Sequence, residues 1–187
     1  MAYKDWKRAL IGLQSTGKPF KFKNGIDLRC INDEKAKMLS ESKYVGEMTF
    51  AFDNIKDTKI IVEKIKVLKK YYIKIFKFYV LCGFDFNDKY DDEFWTQDII
   101  DTLERIKILM EHKCLPYIMR HKNYTLSPYR GMYINLARWC NQPSFFKKKS
   151  LREFCEVNGL NSACYKYMNE FEELYPDVAK QYFDLKF

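Results

Sequence analysis

Apolar residues recur along this chain in two alternating rhythms. Between residues 47 and 53, Met48, Phe50 and Phe52 alternate with Thr49 and Ala51, the two-residue period of a strand. Directly after, Ile60, Ile61, Ile65 and Leu68 return at three-to-four spacing, which gives a helix one apolar face. The exchange repeats along the chain. Strands are predicted over 20–27, 47–53, 74–82 and 115–119. Helices are predicted over 5–15, after Asn32, after Asp57, over 94–112, after Ser127, after Ser150, and as a terminal pair over 161–182.

Local signals support these boundaries. Asn32 precedes Asp33 and Glu34, a cap followed by acids where the helix dipole favours them. Ser127-Pro128 is a helix start, and Ser150 with Glu153 three residues on is a capping box. Gly83 and the acidic run that follows it read as a loop. Strands separated by helices imply crossover connections and a parallel sheet, so the fold class is α/β. We expect one domain, with the strands and their helices in residues 1–149 and a C-terminal helical cap in 150–187.

Composition narrows the class. The chain has 187 residues, of which 47% are apolar and 17% aromatic, enough for a packed core and unlike a disordered chain. No apolar run approaches the roughly 20 residues of a membrane span, and MAYKDWKRAL has no apolar signal core. A soluble, cytoplasmic protein is the expectation. The six cysteines stand 52, 32, 26, 15 and 9 residues apart with no CxxC, and are read as reduced, mostly buried thiols. No GxSxG, P-loop, GxGxxG or HExxH motif occurs, and no spacing makes His121 a partner for Asp53 or Cys140 in a nucleophile pair.

The net charge of +8 is unevenly spread. Residues 55–78 carry eight Lys against two acids, residues 85–105 carry eight acids against two basic residues, and residues 107–152 carry ten Lys or Arg against Glu111 alone. Such blocks serve as solvated helix faces, or as a surface for an acidic protein or nucleic acid.

Polar residues cluster at the C-terminal ends of the predicted strands, where parallel sheets place their sites. They are Asn24, Asp27 and Arg29, then Asp53 and Asn54, then Gly83 and Asp85, then Arg120 and His121. Five phrases there carry a resemblance: Gly25-Ile26-Asp27-Leu28-Arg29, Phe50-Ala51-Phe52-Asp53, Tyr79-Val80-Leu81-Cys82-Gly83-Phe84, Pro116-Tyr117-Ile118-Met119 and Leu136-Ala137-Arg138-Trp139. In this order and spacing they resemble the later strands of the radical S-adenosylmethionine (radical SAM) family, over about two-thirds of the chain.

The resemblance implies a truncated parallel βα half-barrel of about four strands with extra C-terminal helices. It also implies an adenosine-binding rim at Asp27, Arg29, Asp53, Gly83, Met119 and Arg120. The chain lacks the CxxxCxxC loop with which that family holds its [4Fe–4S] cluster. S-adenosylmethionine and the cluster are therefore expected only if a partner completes the site, and catalysis by this chain alone is not expected. Three roles follow. The first is a cluster-less derivative that binds a protein, of the kind a phage or mobile element uses to inhibit a host factor. The second is the C-terminal portion of a split radical SAM enzyme. The third is single-stranded nucleic-acid binding. A protein partner or a homodimer is expected. The surface anticipated for it comprises Tyr124, Tyr129, Arg130, Arg138, Phe145, Phe146, Lys147, Lys148 and Lys149.

Overall fold

The computed structural model describes residues 4–71 and 76–187. Among them, three strands form one parallel sheet in sequence order: β1 (Thr49–Ala51), β2 (Lys77–Cys82) and β3 (Leu115–Arg120). Phe50 is in register with Phe78 and Pro116, and Ala51 with Tyr79 and Tyr117. The connections are helical, α3 (Thr58–Lys69) between β1 and β2 and α4 (Asp92–Glu111) between β2 and β3. Residues 74 and 75, the start of the third predicted strand, lie outside the described residues.

Two further helices, α1 (Trp6–Ser15) and α2 (Asp33–Ser40), precede the sheet. Five follow it: α5 (Arg130–Cys140), α6 (Pro143–Phe146), α7 (Leu151–Val157), α8 (Ala163–Leu174) and α9 (Pro176–Tyr182). The caps explain several starts. The Asn32 side chain accepts from the Lys35 N–H, and Asp91 accepts from Phe94 ahead of Asp92 and Glu93. Both halves of the Ser150–Glu153 capping box form. The start read at Ser127 is displaced. Ser127 accepts from the Tyr129 N–H and its carbonyl from the Arg130 N–H, so Pro128 and Tyr129 form a turn and α5 starts at Arg130.

The core lies on one side of the sheet. Phe50, Phe78, Val80, Cys82 and Ile118 share a core with Ile99, Leu103 and Ile106 of α4 and Tyr133, Leu136 and Cys140 of α5. Helix α4 packs on β2 and β3, and α5 packs on β3. The C-terminal helices join the same core, since α7 and α8 pack on α5 and α9 packs on α4, burying Phe171, Ala179 and Phe183.

The segment 20–27 is not a fourth strand. Phe20 makes one isolated parallel bridge to Tyr44, and Ile26 donates one hydrogen bond to the Thr49 carbonyl at 2.9 Å. Gly25 interrupts the run between them. Its φ is +76°, and a Cβ there would lie 2.8 Å from the Thr49 oxygen, so the tight turn depends on glycine. Phe20 and Phe22 instead pack edge-on with each other and around Tyr44, at centroid distances of 5.6–6.0 Å. Alternation that looked like a strand is thus used by a local aromatic cluster.

Candidate functional site

The side-chain alternation of the strands defines an uncovered surface. On β2, Phe78, Val80 and Cys82 point to the core, so Lys77, Tyr79 and Leu81 point the other way. Register places Thr49 and Ala51 of β1, and Leu115, Tyr117 and Met119 of β3, on that same face. Thr49 and Leu115, at its N-terminal end, are buried. Ala51, Tyr79, Leu81, Tyr117 and Met119, toward its C-terminal end, are not, with Tyr117 37% and Met119 45% exposed. Tyr79 and Tyr117 meet edge-to-face at 5.6 Å. Parallel sheets are normally covered on both faces, so a parallel sheet showing apolar and aromatic side chains to solvent is an exception to explain.

The sheet's edges are less available than this face. The Asn141 side chain accepts from the Ile118 N–H at 2.7 Å and donates to the Ile118 carbonyl at 3.1 Å, standing in for a neighbouring strand along β3. At β1 the edge position next to Thr49 is taken by Gly25 and Ile26.

Two clefts open at the strand ends. One, of about 550 Å³, is lined by Asp53, Leu81, Phe84, Phe86, Asp98 and Arg105 among others. The other, of about 470 Å³, is lined by Asn24, Asp27, Arg29, Ala51, Asp53 and Tyr79 among others. Arg105 of α4 is 2% exposed and forms the floor of the first. Its Nη1 donates to the carbonyls of Phe52, Asp53 and Leu81, its Nε to that of Asp101, and its Nη2 to Thr102. The guanidinium thereby holds the C-terminal ends of β1 and β2 together. Burial lowers its pKa, while the nearby carboxylates of Asp98, Asp101 and Asp53 oppose the shift.

Asp98 accepts from the Gly83 N–H at 2.7 Å and from the Tyr133 hydroxyl at 2.8 Å. Burial raises its pKa, and these two donors limit the rise. The loop beyond Gly83 is shaped by Asp85, which accepts from the N–H groups of Asn87 and Lys89. It presents Phe84 and Phe86 to solvent, Phe86 at 91% exposure.

The residues singled out in the sequence fall into separate places. Asp27 and Arg29 face one cleft but engage each other, Arg29 donating to both carboxylate oxygens at 3.0 Å. Asp53 borders both clefts and accepts from the Leu81 N–H. Gly83 is closed off by Tyr124, whose Cβ would lie 3.0 Å from a Cβ at that position. Met119 belongs to the open face, and Arg120 stacks over the Tyr124 ring at 4.6 Å. The six rim residues therefore do not converge on one point.

The anticipated partner surface divides as well. Phe146 is fully buried against Trp139 and Phe187, so it is core, and Phe145 packs on Phe154. Tyr129 is bonded through its hydroxyl to Tyr175 at 2.6 Å. Arg130, Arg138, Lys147 and Lys148 are exposed, while Lys149 is half-buried and its carbonyl accepts from Trp139. The residues that sequence reasoning missed are Arg105, Asn141, Tyr79 and Tyr117. The two tyrosines were legible as alternate positions of the strands. Nothing in sequence announces a buried arginine in an acidic helix.

Among the described residues, no three His, Cys, Asp or Glu side chains converge as a metal-binding group. The donor set does not fit a [4Fe–4S] cluster. Cys82, Cys114 and Cys140 are buried in the core, and Cys155 and Cys164 lie in the helical cap. Burial pushes the Cys114 thiol up to about 12 and also raises Cys82 and Cys140, opposite to what a thiolate ligand needs. Among the described residues no helix is long and apolar enough to cross a membrane. No family model matches the chain, nor does any curated protein or solved structure.

Proposed function

We propose that this protein acts in the cytoplasm by binding another protein across the open face of its sheet. The observation that carries this reading is the row Ala51, Tyr79, Leu81, Tyr117 and Met119, uncovered on a parallel sheet. Tyr and Met are enriched at the cores of protein interfaces, and Tyr is among the residues that carry most of their binding energy. Asn141 on β3 disfavours a partner that adds a strand at that edge, including a second copy joined into one continuous sheet. A partner seated on the face meets no such obstacle.

The reading extends to ancestry. The sheet, with helices on one side and an open inner face, is what a fragment of a radical-SAM-type βα half-barrel would present, the open face being the barrel interior. A cluster-less derivative of that kind suits a phage or mobile-element inhibitor of a host factor. A split radical SAM enzyme is the second reading. It is favoured by the β1 edge, beside which Gly25 and Ile26 lie in a turn with one backbone hydrogen bond, from Ile26 to Thr49, in place of a paired strand. In that case the protein on the open face carries the CxxxCxxC loop.

Oxidative footprinting tests the proposal. Tyr117 and Met119 should be labelled readily in the isolated protein and protected in concentrated extract of the native host, with exposed Phe86 as a second reporter. Equal labelling in both conditions contradicts it.

A further inference from the structure

The helical cap holds two thiols that the binding reading does not use. Cys155 of α7 and Cys164 in the first turn of α8 are both buried, and their Sγ atoms are 3.5 Å apart. We propose that Cys155 and Cys164 form a reversible disulfide, oxidised by a low-molecular-weight disulfide such as oxidised glutathione and reduced again by small thiols. The pair needs a movement of only about 1.5 Å to reach bonding distance, within the range of a side-chain rotation.

The surroundings assign the roles. Cys164 is the second residue of a twelve-residue helix, where free N–H groups favour a thiolate. Arg138 lies near both sulfurs and favours the thiolate form of each, so the helix N-terminus is what distinguishes Cys164. Cys164 is therefore the attacking sulfur and Cys155 the resolving one. Both sulfurs are buried, so a small disulfide reaches them through local opening of the connection between α7 and α8. Val157 and Leu160 are 60% and 63% exposed, and Gly159, at φ +94°, has open space around it.

The step balances as two exchanges. The Cys164 thiolate attacks one sulfur of the small disulfide, the S–S bond breaks, and one small thiolate leaves. Cys155 then loses its proton and attacks the Cys164 sulfur of the mixed disulfide, releasing the second small thiolate. The two protein thiols are oxidised, the small disulfide is reduced to two thiols, and the two protons end on them. The product ties α7 to α8 and stabilises the cap by restricting the unfolded chain.

The test uses the full chain, whatever its partner. After equilibration with oxidised glutathione, the protein is alkylated and digested without reduction. Trypsin leaves both cysteines in one peptide, residues 153–166, and cleavage after Glu156 then separates them unless the disulfide holds the pieces together. The expected result is a linked pair lacking two hydrogens and the alkyl groups, released by dithiothreitol, with Cys30 still alkylated. The oxidised protein should melt several degrees above the reduced form of the same sample, a gain absent from Cys164→Ser. Full alkylation at both positions overturns the proposal. So does a bond from either cysteine to another thiol, or a glutathione adduct on Cys164 that never closes.

Discussion

At the scale of single residues, the buried guanidinium of Arg105 organises the strand ends. Its donors reach the carbonyls of Phe52 and Asp53 just beyond β1, that of Leu81 on β2, and two oxygens on α4 itself. Arg105→Met would leave those carbonyls buried without their donor. Urea denaturation should show a loss of about 3–5 kcal/mol. Arg105→Lys should recover little, because an ammonium cannot span acceptors arranged around a planar fork. A loss under 1 kcal/mol would show that water replaces the side chain.

Asp98 offers a pH signature. Its pKa is raised above the ordinary 3.8 by burial, so its contribution is complete below that value and is lost as pH rises through the folded value. Asp27, Asp33 and Asp91 have lowered values and act oppositely, losing their contribution as pH falls. Wild-type stability measured against Asp98→Asn should therefore decline from about pH 4 upward. A difference independent of pH would place the two states of Asp98 in equivalent environments.

At the scale of elements, Asn141 terminates the sheet. Asn141→Leu removes both bonds to the Ile118 backbone, one from its N–H and one to its carbonyl, and a loss of about 1–3 kcal/mol is expected in thermal or chemical melts. The exposed edge should also raise light scattering on heating. Unchanged stability would mean the side-chain bridge is dispensable.

The elements also show what a reader of the sequence could and could not see. Helices α2 and α7 were legible because their caps are local, α4 because its apolar positions recur with helical spacing, β1 because alternation marked it, and β3 as a short apolar run. The segment 20–27 alternates equally well, yet Gly25 turns the chain and Tyr44 draws Phe20 and Phe22 into a cluster. Phe146 was read as a partner-surface residue because aromatics favour interfaces, but Trp139 of α5 and Phe187 at the far end of the chain enclose it. The candidate site was legible in part. Strand ends could be located from sequence, whereas the uncovered face depends on register between strands.

At the scale of the molecule, a single core lies on one side of a three-stranded sheet and apolar side chains lie bare on the other. The acidic loop after Gly83, with Phe84 and Phe86 outward, borders the same strand ends. Tyr117 and Met119 lie outside the core, so replacing both with Glu should leave the fold intact at a cost of about 1–2 kcal/mol, from the lost Tyr79 ring contact and the weaker strand preference of Glu. That separation of folding from binding allows a clean test of the central claim. Wild type and the Tyr117→Glu, Met119→Glu double variant would be tagged, recovered from the native host in parallel, and their co-purifying proteins quantified by mass spectrometry. The open-face account predicts one protein held in near-equal amount by wild type and lost from a variant that melts cooperatively above the recovery temperature. Equal recovery of that protein by both, or no stoichiometric protein on either, would contradict it.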